Sequence, residues 1–124
     1  MMEILKLKDY NNIYAVDVFM DEYNALFGKS KSDRVKYLKK LYSNLRILDA
    51  EMQKAIQYQQ FEKLSDESLY SIRHVSTVNP RVIFAYIDNN NKVVLLSSCK
   101  EKRRSDYDNA LKQAKQRMKQ LEEG

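Results

Sequence analysis

The residues with the clearest chemical potential are positively charged and lie close together after an apolar run. Lys100, Lys102, Arg103 and Arg104 fall within five consecutive positions. Ammonium and guanidinium groups form charge-assisted hydrogen bonds with phosphate oxygens, and a planar guanidinium can bind two such oxygens at once. The cluster therefore indicates a phosphate-bearing ligand, and the alternative is a solvated basic turn.

A predicted β-hairpin brings an isolated arginine to this cluster. Two apolar runs rich in β-branched and aromatic residues are typical of buried strands, and the asparagines between them tolerate the positive φ of a tight turn. If Asn89 and Asn90 form a two-residue loop, Arg81 lies opposite Ser98 at the charged end of the sheet. The two predicted strands run from Val82 to Ile87 and from Val93 to Leu96.

The strand predicted before the hairpin, from Leu69 to Val75, contributes two further candidates. Its alternation places Ile72 and His74 on one face and Arg73 on the other. Arg73 then points to the open face if helices cover Ile72, where it suits phosphate binding; a salt bridge to a helix acid is the alternative. His74 lies with the apolar residues, where a structural histidine is the simpler interpretation.

The remaining segments predict the elements that position these residues. A strand from Ile13 to Phe19 precedes a short helix from Met20 to Phe27. A second helix has an apolar stripe from Val35 to Met52, with Ser30 and Asp33 as its capping box.

Three later segments complete the pattern. Residues 53–60 continue the second helix or restart it after a bend, and residues 61–68 are turn-like. A last helix starts with the capping box Ser105 and Asp108 and runs to Leu121. The order β, α, α, β, β, β, α predicts one α+β domain over residues 1–124, an antiparallel twisted sheet of about four strands with the helices on one face.

Composition and charge narrow the class of protein. The net charge of +5 favours polyanionic partners. No apolar stretch is long enough to span a bilayer, and the N-terminus does not have the pattern of a signal peptide. Cys99 is the single cysteine, so no intrachain disulfide can form and the reducing cytoplasm is the expected compartment.

The order and spacing of these segments resembles the RelE/ParE superfamily of bacterial toxins, most closely its HigB or phage Gp49-like branch. The resemblance covers roughly residues 12–121 and is most specific over about the last 65 positions. Its motifs are a leucine-aromatic-x-aliphatic-arginine strand, an arginine-valine strand, an apolar strand that runs into a lysine-rich turn, and a closing helix. They correspond to Leu69 to Arg73, Arg81 to Ala85, Val93 to Lys102 and Ala110 to Arg117.

This resemblance implies a RelE-like fold and a toxin of a type II toxin-antitoxin pair that cleaves mRNA on the translating ribosome. The implied partners are mRNA on the ribosome and a cognate antitoxin, of the helix-turn-helix, HigA-like kind or a ribbon type. No membrane partner and no cofactor are implied. The family uses varying sets of Arg, Lys, His and Tyr.

Cleavage by this route requires attack of the 2′-hydroxyl on the adjacent phosphate, with a base, an acid for the leaving 5′-oxygen, and cations for the developing charge. Crowding by arginines disfavours a further positive charge, so Lys100 or Lys102 is a candidate base. Tyr107 either stacks on a base or donates a proton, or else it packs in the core. The predicted catalytic set is Arg73, Arg81, Lys100, Lys102, Arg103 and Tyr107, with Arg104, His74 and Lys63 as further RNA-binding residues.

Two other functions fit the same sequence. A ParE-like toxin would inhibit a protein such as gyrase without cleaving RNA, and a basic RNA-binding module would not be toxic. The sequence has no ligand spacing typical of a metal site, because it contains one His and one Cys.

Overall fold

A computed structural model describes residues 3–64 and 68–123 of the chain. Over these ranges the protein forms six strands, three α-helices and one 3-10 helix. The first half contains β1 (Ile4–Lys6), β2 (Ile13–Val16), α1 (Phe19–Ala25), α2 (Lys31–Glu51) and the 3-10 helix (Met52–Gln57). The second half contains β3 (Phe61–Lys63), β4 (Leu69–Arg73), β5 (Pro80–Ile87), β6 (Lys92–Lys100) and α3 (Arg104–Glu123).

The strands form one mixed sheet in the order β1-β2-β6-β5-β4-β3. β2 is parallel to β6, and the other neighbouring pairs are antiparallel. The predicted α+β class is confirmed, whereas the prediction of an antiparallel sheet of about four strands is wrong. Periodicity indicates a strand but not its partner, so the parallel pairing of β2 with β6 has no signal in the sequence pattern.

Of the two edge strands, β1 lies in the apolar stretch of Ile4, Leu5 and Leu7, for which the sequence leaves an edge strand and a packed tail open, whereas β3 differs from the prediction. β1 and β3 contain three residues each, too few to show an alternation. Residues 61–68 were predicted as a turn, but Phe61–Lys63 pairs with β4; residues 65–67 of that predicted turn lie outside the described residues. β4 ends at Arg73, two residues before its predicted end at Val75.

One face of the sheet packs against α2 and is called the α2 face below. Ile72 and Val82 lie beside Leu41 of α2. The Tyr86 hydroxyl donates a hydrogen bond to the carbonyl of Met52, just after the end of α2, over 2.9 Å. Ile72 and Val82 are buried, so the predicted covering of Ile72 by helices is confirmed.

The opposite face packs against α3 and is called the α3 face. Ser97 Oγ donates a hydrogen bond to the carbonyl of Ala110 in α3 over 2.8 Å. Arg117 in α3 binds both carboxylate oxygens of Glu22 in α1, at 2.6 and 2.7 Å, and the carbonyl of Leu96 in β6, at 2.8 Å. Helices therefore cover both faces, and the prediction that they pack on one face is wrong.

The amino-acid sequence of β5 explains why both faces of the sheet are buried. Its residues are buried without interruption from Pro80 to Tyr86. A strand that alternates between core and solvent would show polar residues at every second position, whereas this run is apolar apart from Arg81. Arg81 is thus a charged residue near one end of a strand that is covered on both faces.

The hairpin turn between β5 and β6 has the predicted loop. Ile87 pairs with Lys92, which leaves Asn89 and Asn90 at the tip. Asp88, Asn89 and Asn90 have φ values between 54° and 67°. Aspartate and asparagine are among the few residues that tolerate this left-handed region, because their short polar side chains can bond to the nearby backbone.

A β-bulge changes the register before the strands reach the basic cluster. Leu96 of β6 has no partner in β5, so one extra residue is inserted into the ladder. Beyond the bulge Arg81 pairs with Cys99. The predicted pairing of Arg81 with Ser98 is therefore wrong by one residue, because it assumed a regular ladder.

The N-terminal helices differ from the prediction mainly at their ends. The predicted strand residue Phe19 begins α1 and is fully buried. Ser30 Oγ accepts a hydrogen bond from the backbone N–H of Asp33 over 3.3 Å, which confirms the Ser30 cap of α2. α2 ends at Glu51, and the 3-10 helix starts at Met52, which has φ 51°. Of the two predicted alternatives, a continued helix and a restart after a bend, the structure therefore has the restart.

Candidate functional site

The centre of the candidate site is a row of side chains across three strands on the α3 face. Arg73 of β4 pairs with Arg81 of β5, and Arg81 pairs with Cys99 of β6. Residues directly opposite each other in neighbouring strands place their side chains on the same face. The two arginines predicted to bind phosphate are therefore neighbours. The salt-bridge alternative for Arg73 has no support, since no carboxylate of the described residues pairs with it.

Arg81 is buried and held by groups from three different elements. Its side chain is 6% exposed. Arg81 Nη1 lies 3.2 Å from Glu101 Oε2, and Arg81 Nη2 lies 3.5 Å from Glu62 Oε2. The Tyr107 ring lies over the guanidinium, 4.4 Å from its central carbon to the ring centre. We call Arg73, Arg81, Glu62, Glu101 and Tyr107 the arginine site.

The carboxylates of Glu62 and Glu101 balance the positive charges of the two arginines. A charged group without partners in a protein interior is strongly destabilising, and two arginines side by side repel each other. Glu62, which is 49% exposed, and the less exposed Glu101 supply two negative charges against the two positive ones. The site is thus close to neutral, although the sequence pattern predicts a purely cationic one.

Part of the hydrogen-bonding capacity of the arginine site is unused. The Nε atoms of Arg73 and Arg81 are buried, and neither has an acceptor among the described residues. Ser71 Oγ, one step along β4 on the same face, is also buried without a partner there. Buried polar groups are almost always satisfied in native proteins, so these unmet donors make the α3 face a functional candidate, although Ser98 Oγ, Asn79 Oδ1 and Glu101 Oε2 are also buried without a hydrogen-bond partner among the described residues.

The basic turn, residues 100–104, follows β6 at the same end of the sheet. Lys100 pairs with Pro80, so it belongs to the α2 face and not to the face of Arg81. Lys102 Nζ donates a hydrogen bond to the carbonyl of Thr77. The turn therefore reaches the end of the sheet, but the structure does not bring Lys100 beside the two arginines.

Two arginines of the basic turn are directed to solvent and paired with acids of α3. Arg103 lies 3.7 Å from Asp106, and Arg104 lies 3.4 Å from Asp108. Both arginine side chains are exposed, and exposed ion pairs hold a side chain only weakly. Arg103 and Arg104 are thus available to an external anion at the rim of the site.

The start of α3 is fixed by Asp106. Its Oδ2 accepts hydrogen bonds from the backbone N–H groups of Arg103, at 2.9 Å, and Lys102, at 3.1 Å. These bonds hold the pKa of Asp106 below its usual value. α3 begins at Arg104, so the predicted capping box of Ser105 and Asp108 is wrong, because an aspartate after the start of the helix reaches back to the turn.

The loop between β4 and β5 is attached to the basic turn. Asn79 Nδ2 donates to the carbonyl of Glu101, and Glu101 N–H donates to the carbonyl of Asn79, both over 3.0 Å. Asn79 has φ 56°, a conformation that asparagine tolerates better than most residues. Glu101 is thereby held beside Arg81 through its backbone.

His74 and Lys63 lie apart from the arginine site. His74 follows Arg73 and contacts Tyr37 of α2, with ring centres 5.5 Å apart. Burial lowers the pKa of His74, and the charges of Lys40 and Lys36 lower it further. Lys63 pairs with Tyr70, whose position in the β4 alternation places it on the α2 face. The structure therefore does not bring either residue to Arg81.

Cys99 is the neighbour of Arg81 in the sheet, and its chemistry is suppressed by burial. Burial raises the pKa of the Cys99 thiol to about 11, and the charge of Glu101 contributes further. The nearby Arg81 acts in the opposite direction and does not compensate. At neutral pH the side chain is a thiol, which is a weak nucleophile.

Sequence reasoning missed three residues of this region. Glu62 lies in a strand too short to recognise, and Glu101 lies between two lysines of the basic turn. Arg117, although part of the closing helix motif, is buried and anchors α3 to α1. For these residues the only signal in the sequence was Glu101 within the basic run, because a buried arginine requires a carboxylate partner.

No protein-family model matches the chain, and comparison with curated proteins and with solved structures found no match. Among residues 3–64 and 68–123, no helix is long and apolar enough to cross a membrane. The same residues contain no group of three or more His, Cys, Asp or Glu side chains that could hold a metal ion.

Proposed function

We propose that this protein is the toxin of a type II toxin-antitoxin pair and cleaves mRNA on the ribosome. The resemblance of its motifs to the RelE/ParE superfamily suggests this function, and one structural observation supports it. Arg73 and Arg81 lie side by side on the α3 face, and each has a buried Nε donor without an acceptor among the described residues. A phosphate between two guanidinium groups would supply those acceptors.

In this proposal the arginine site binds the scissile phosphate and the basic turn holds the flanking strand. Arg73 and Arg81 stabilise the negative charge that develops as the 2′-oxygen attacks the phosphorus. Exposed Arg103 and Arg104 bind neighbouring phosphates at the rim. The expected partners are mRNA on the ribosome and a helix-turn-helix antitoxin of the HigA kind, in the cytoplasm.

Glu62 is the proposed general base. It is the carboxylate of the site that is half exposed, so it can contact both solvent and substrate while it is paired with Arg81. It takes the proton of the 2′-hydroxyl, the 2′-oxygen attacks the phosphorus, and the bond to the 5′-oxygen breaks. Lys102 of the basic turn or the hydroxyl of Tyr107 gives the leaving oxygen its proton.

The test is induced expression combined with primer extension on cellular mRNA. The wild-type protein should stop growth and produce new 5′ ends inside coding regions. Glu62→Gln and Arg103→Ala, both at exposed positions, should relieve the arrest, while Lys112→Ala and Lys119→Ala on exposed positions of α3 should not. Normal growth on expression of the wild-type protein, or full toxicity of both site variants, would contradict the proposal.

A non-cleaving basic RNA-binding module is the second candidate. The observation in its favour is the pairing of Arg81 with Glu62 and Glu101, because an arginine that is already paired need not bind substrate. This function predicts RNA binding by the purified protein without growth arrest or new 5′ ends. Arrest without new 5′ ends would instead support a ParE-like action on a protein target.

A further inference from the structure

The positive charge of the protein is concentrated on α2 and the loop before it. Residues 29–46 contain seven basic residues and one acidic residue, Asp33, which is a net charge of +6. The whole chain carries +5, so all other residues together carry a net charge of −1. The basic turn, residues 100–104, carries a net charge of +3, so the segment from Lys29 to Arg46 is the more strongly charged of the two, although Asp49 and Glu51 at the end of α2 lower the charge of the whole helix.

Much of this charge surrounds an exposed apolar residue. Val35 is 47% exposed, and Lys31, Lys36, Lys39 and Lys40 border the same open surface. We call these five residues the lysine face. They lie on two neighbouring ridges of α2, because residues four positions apart follow one another along a helix surface. None of the four lysines forms an ion pair with any residue of the described ranges.

The lysine face is remote from the arginine site. α2 covers the face of the sheet opposite to α3, and Arg81 points to α3. Near Lys36 and Lys40 the surface continues towards His74 and Val75, which is 75% exposed. A partner bound to the outer side of α2 would thus leave the arginine site open.

We propose that the lysine face binds an acidic amphipathic helix of a partner protein, with an apolar side chain of the partner seated on Val35. The charge is complementary, because carboxylates of the partner would pair with four exposed lysines that have no ion pair among the described residues. From Lys31 to Lys40 the helix rises about 13.5 Å, which matches two to three turns of a partner helix. Acidic side chains on two ridges of such a helix reach the lysines on either side of the apolar contact.

Two features favour a protein partner over a nucleic acid. The lysine face has no arginine, the residue that binds phosphate in a bidentate way. Its centre is a valine, which contributes to binding only when it is covered by another apolar group. The proposal does not depend on the nuclease function, because binding is measured without any cleavage.

The probe is a fluorescein-labelled helical peptide with glutamates on two ridges and leucines between them, titrated with the full-length protein at low salt. A matched peptide has serines in place of the leucines, and a single-stranded uridine oligonucleotide of equal charge serves as the nucleic-acid probe. The leucine peptide should bind at least about tenfold more tightly than the serine peptide, a difference of about 1.4 kcal/mol.

Substitutions on the two long helices locate the binding surface. Lys31→Glu combined with Lys39→Glu should weaken binding of the leucine peptide by about tenfold or more, because two attractive charges become repulsive. Val35→Ser should remove the preference for leucine over serine. Lys112→Glu with Lys119→Glu on α3 is the control with the same change of net charge, and it should change the affinity by less than about twofold.

Three results would overturn the proposal. Equal affinity for the two peptides would remove the apolar contact, and tighter binding of the oligonucleotide that is lost in the Lys31 and Lys39 variant would identify a nucleic-acid surface. Equal loss of affinity in the α2 and α3 variants would show attraction by net charge alone. All substituted positions are exposed or partly exposed, and a circular dichroism spectrum identical to that of the wild type excludes misfolding.

Discussion

The ring of Tyr107 lies over the guanidinium of Arg81, 4.4 Å from its central carbon to the ring centre. Through this contact the first turn of α3 covers the charged end of the sheet. A cation over an aromatic face is stabilised by about 0.5–2 kcal/mol, with more for buried pairs. Tyr107 thus explains how an arginine can be 6% exposed in a strand whose other residues are apolar.

Substitution of Tyr107 separates its packing from its chemistry. Tyr107→Ala should lower the free energy of unfolding by about 1–3 kcal/mol, because the cation–π contact and the apolar contact of the ring are both lost. Tyr107→Phe keeps the ring and should cost less than about 1 kcal/mol. Urea denaturation measures both values. If Tyr107 donates a proton in RNA cleavage, the phenylalanine variant should be stable but impaired in cleavage.

The Glu22–Arg117 pair should respond asymmetrically to substitution. Arg117 is buried, whereas Glu22 is 36% exposed and can turn to water. Glu22→Ala leaves a buried guanidinium with one remaining acceptor, the Leu96 carbonyl, and should cost about 3–5 kcal/mol. Arg117→Met should cost less, about 1–3 kcal/mol, because the remaining carboxylate can be solvated. Equal losses in urea denaturation would contradict this explanation.

His74 should titrate below its usual pKa of 6.5, because of burial and the nearby charges of Lys40 and Lys36. It is the single histidine of the chain, so its proton resonance can be followed by NMR without assignment. The pKa should rise towards 6.5 in Lys40→Met. Lys119→Met, a change of equal charge on α3, should leave the pKa near its wild-type value.

The same shift predicts how stability depends on pH. Above pH 6.5 the imidazole is neutral in both states, so His74 does not make the stability vary with pH. As the pH falls below 6.5, the unfolded chain binds the proton first, and stability is lost down to the folded pKa. The stability advantage of the wild type over His74→Gln should therefore be constant above pH 6.5 and smaller at lower pH. A constant difference across this range in thermal unfolding would contradict the shift.

Cys99 should react slowly with thiol reagents in the native protein. A pKa raised from 9.0 to about 11 lowers the fraction of thiolate at pH 8 by about a hundredfold, and burial limits access as well. The rate of reaction with dithionitrobenzoate should rise by at least about a hundredfold in concentrated urea. Fast reaction of the folded protein would show that the end of β6 opens readily.

Glu62 offers the most direct test of the proposed chemistry. Glu62→Gln keeps the shape of a half-exposed side chain and removes the base, so RNA cleavage should fall by about a hundredfold or more. Stability should change by less than about 1 kcal/mol, because Arg81 retains its pair with Glu101. Glu51→Gln, at the end of α2, is the matched control. Full cleavage activity of Glu62→Gln would exclude Glu62 as the base.

The sequence allowed prediction of the elements with strong local signals. The asparagine turn at residues 89 and 90 follows from residue types that tolerate positive φ, and the Ser30 cap follows from a short-range hydrogen bond. The α+β class follows from the succession of helical and strand periodicities. Each of these features depends on residues close together in the chain.

Features that depend on long-range contacts were not predictable. The parallel pairing of β2 with β6 depends on tertiary packing, and β1 and β3 are too short to show a pattern. The pairing of Arg81 with Glu62 depends on that short β3 strand. The proximity of Arg73 and Arg81 could be predicted from the sequence, because it requires only the alternation of two strands and the hairpin that joins one of them to the basic turn.

The inserted residue Leu96 determines which side chains of β6 lie on which face at this end of the sheet. The bulge lets Ser97 pair with Ile83 and Cys99 with Arg81; in a regular ladder that kept Leu96, Leu96 would pair with Ile83 and the four residues from Ser97 to Lys100 would lie on the opposite faces. Cys99 would leave the row of Arg81, and Ser97 would lose its contact with α3. Loss of the bulge with Leu96 retained would thus amount to four simultaneous exchanges between the two sides of the sheet, whereas deletion of Leu96 would keep Ser97 opposite Ile83 and Cys99 opposite Arg81.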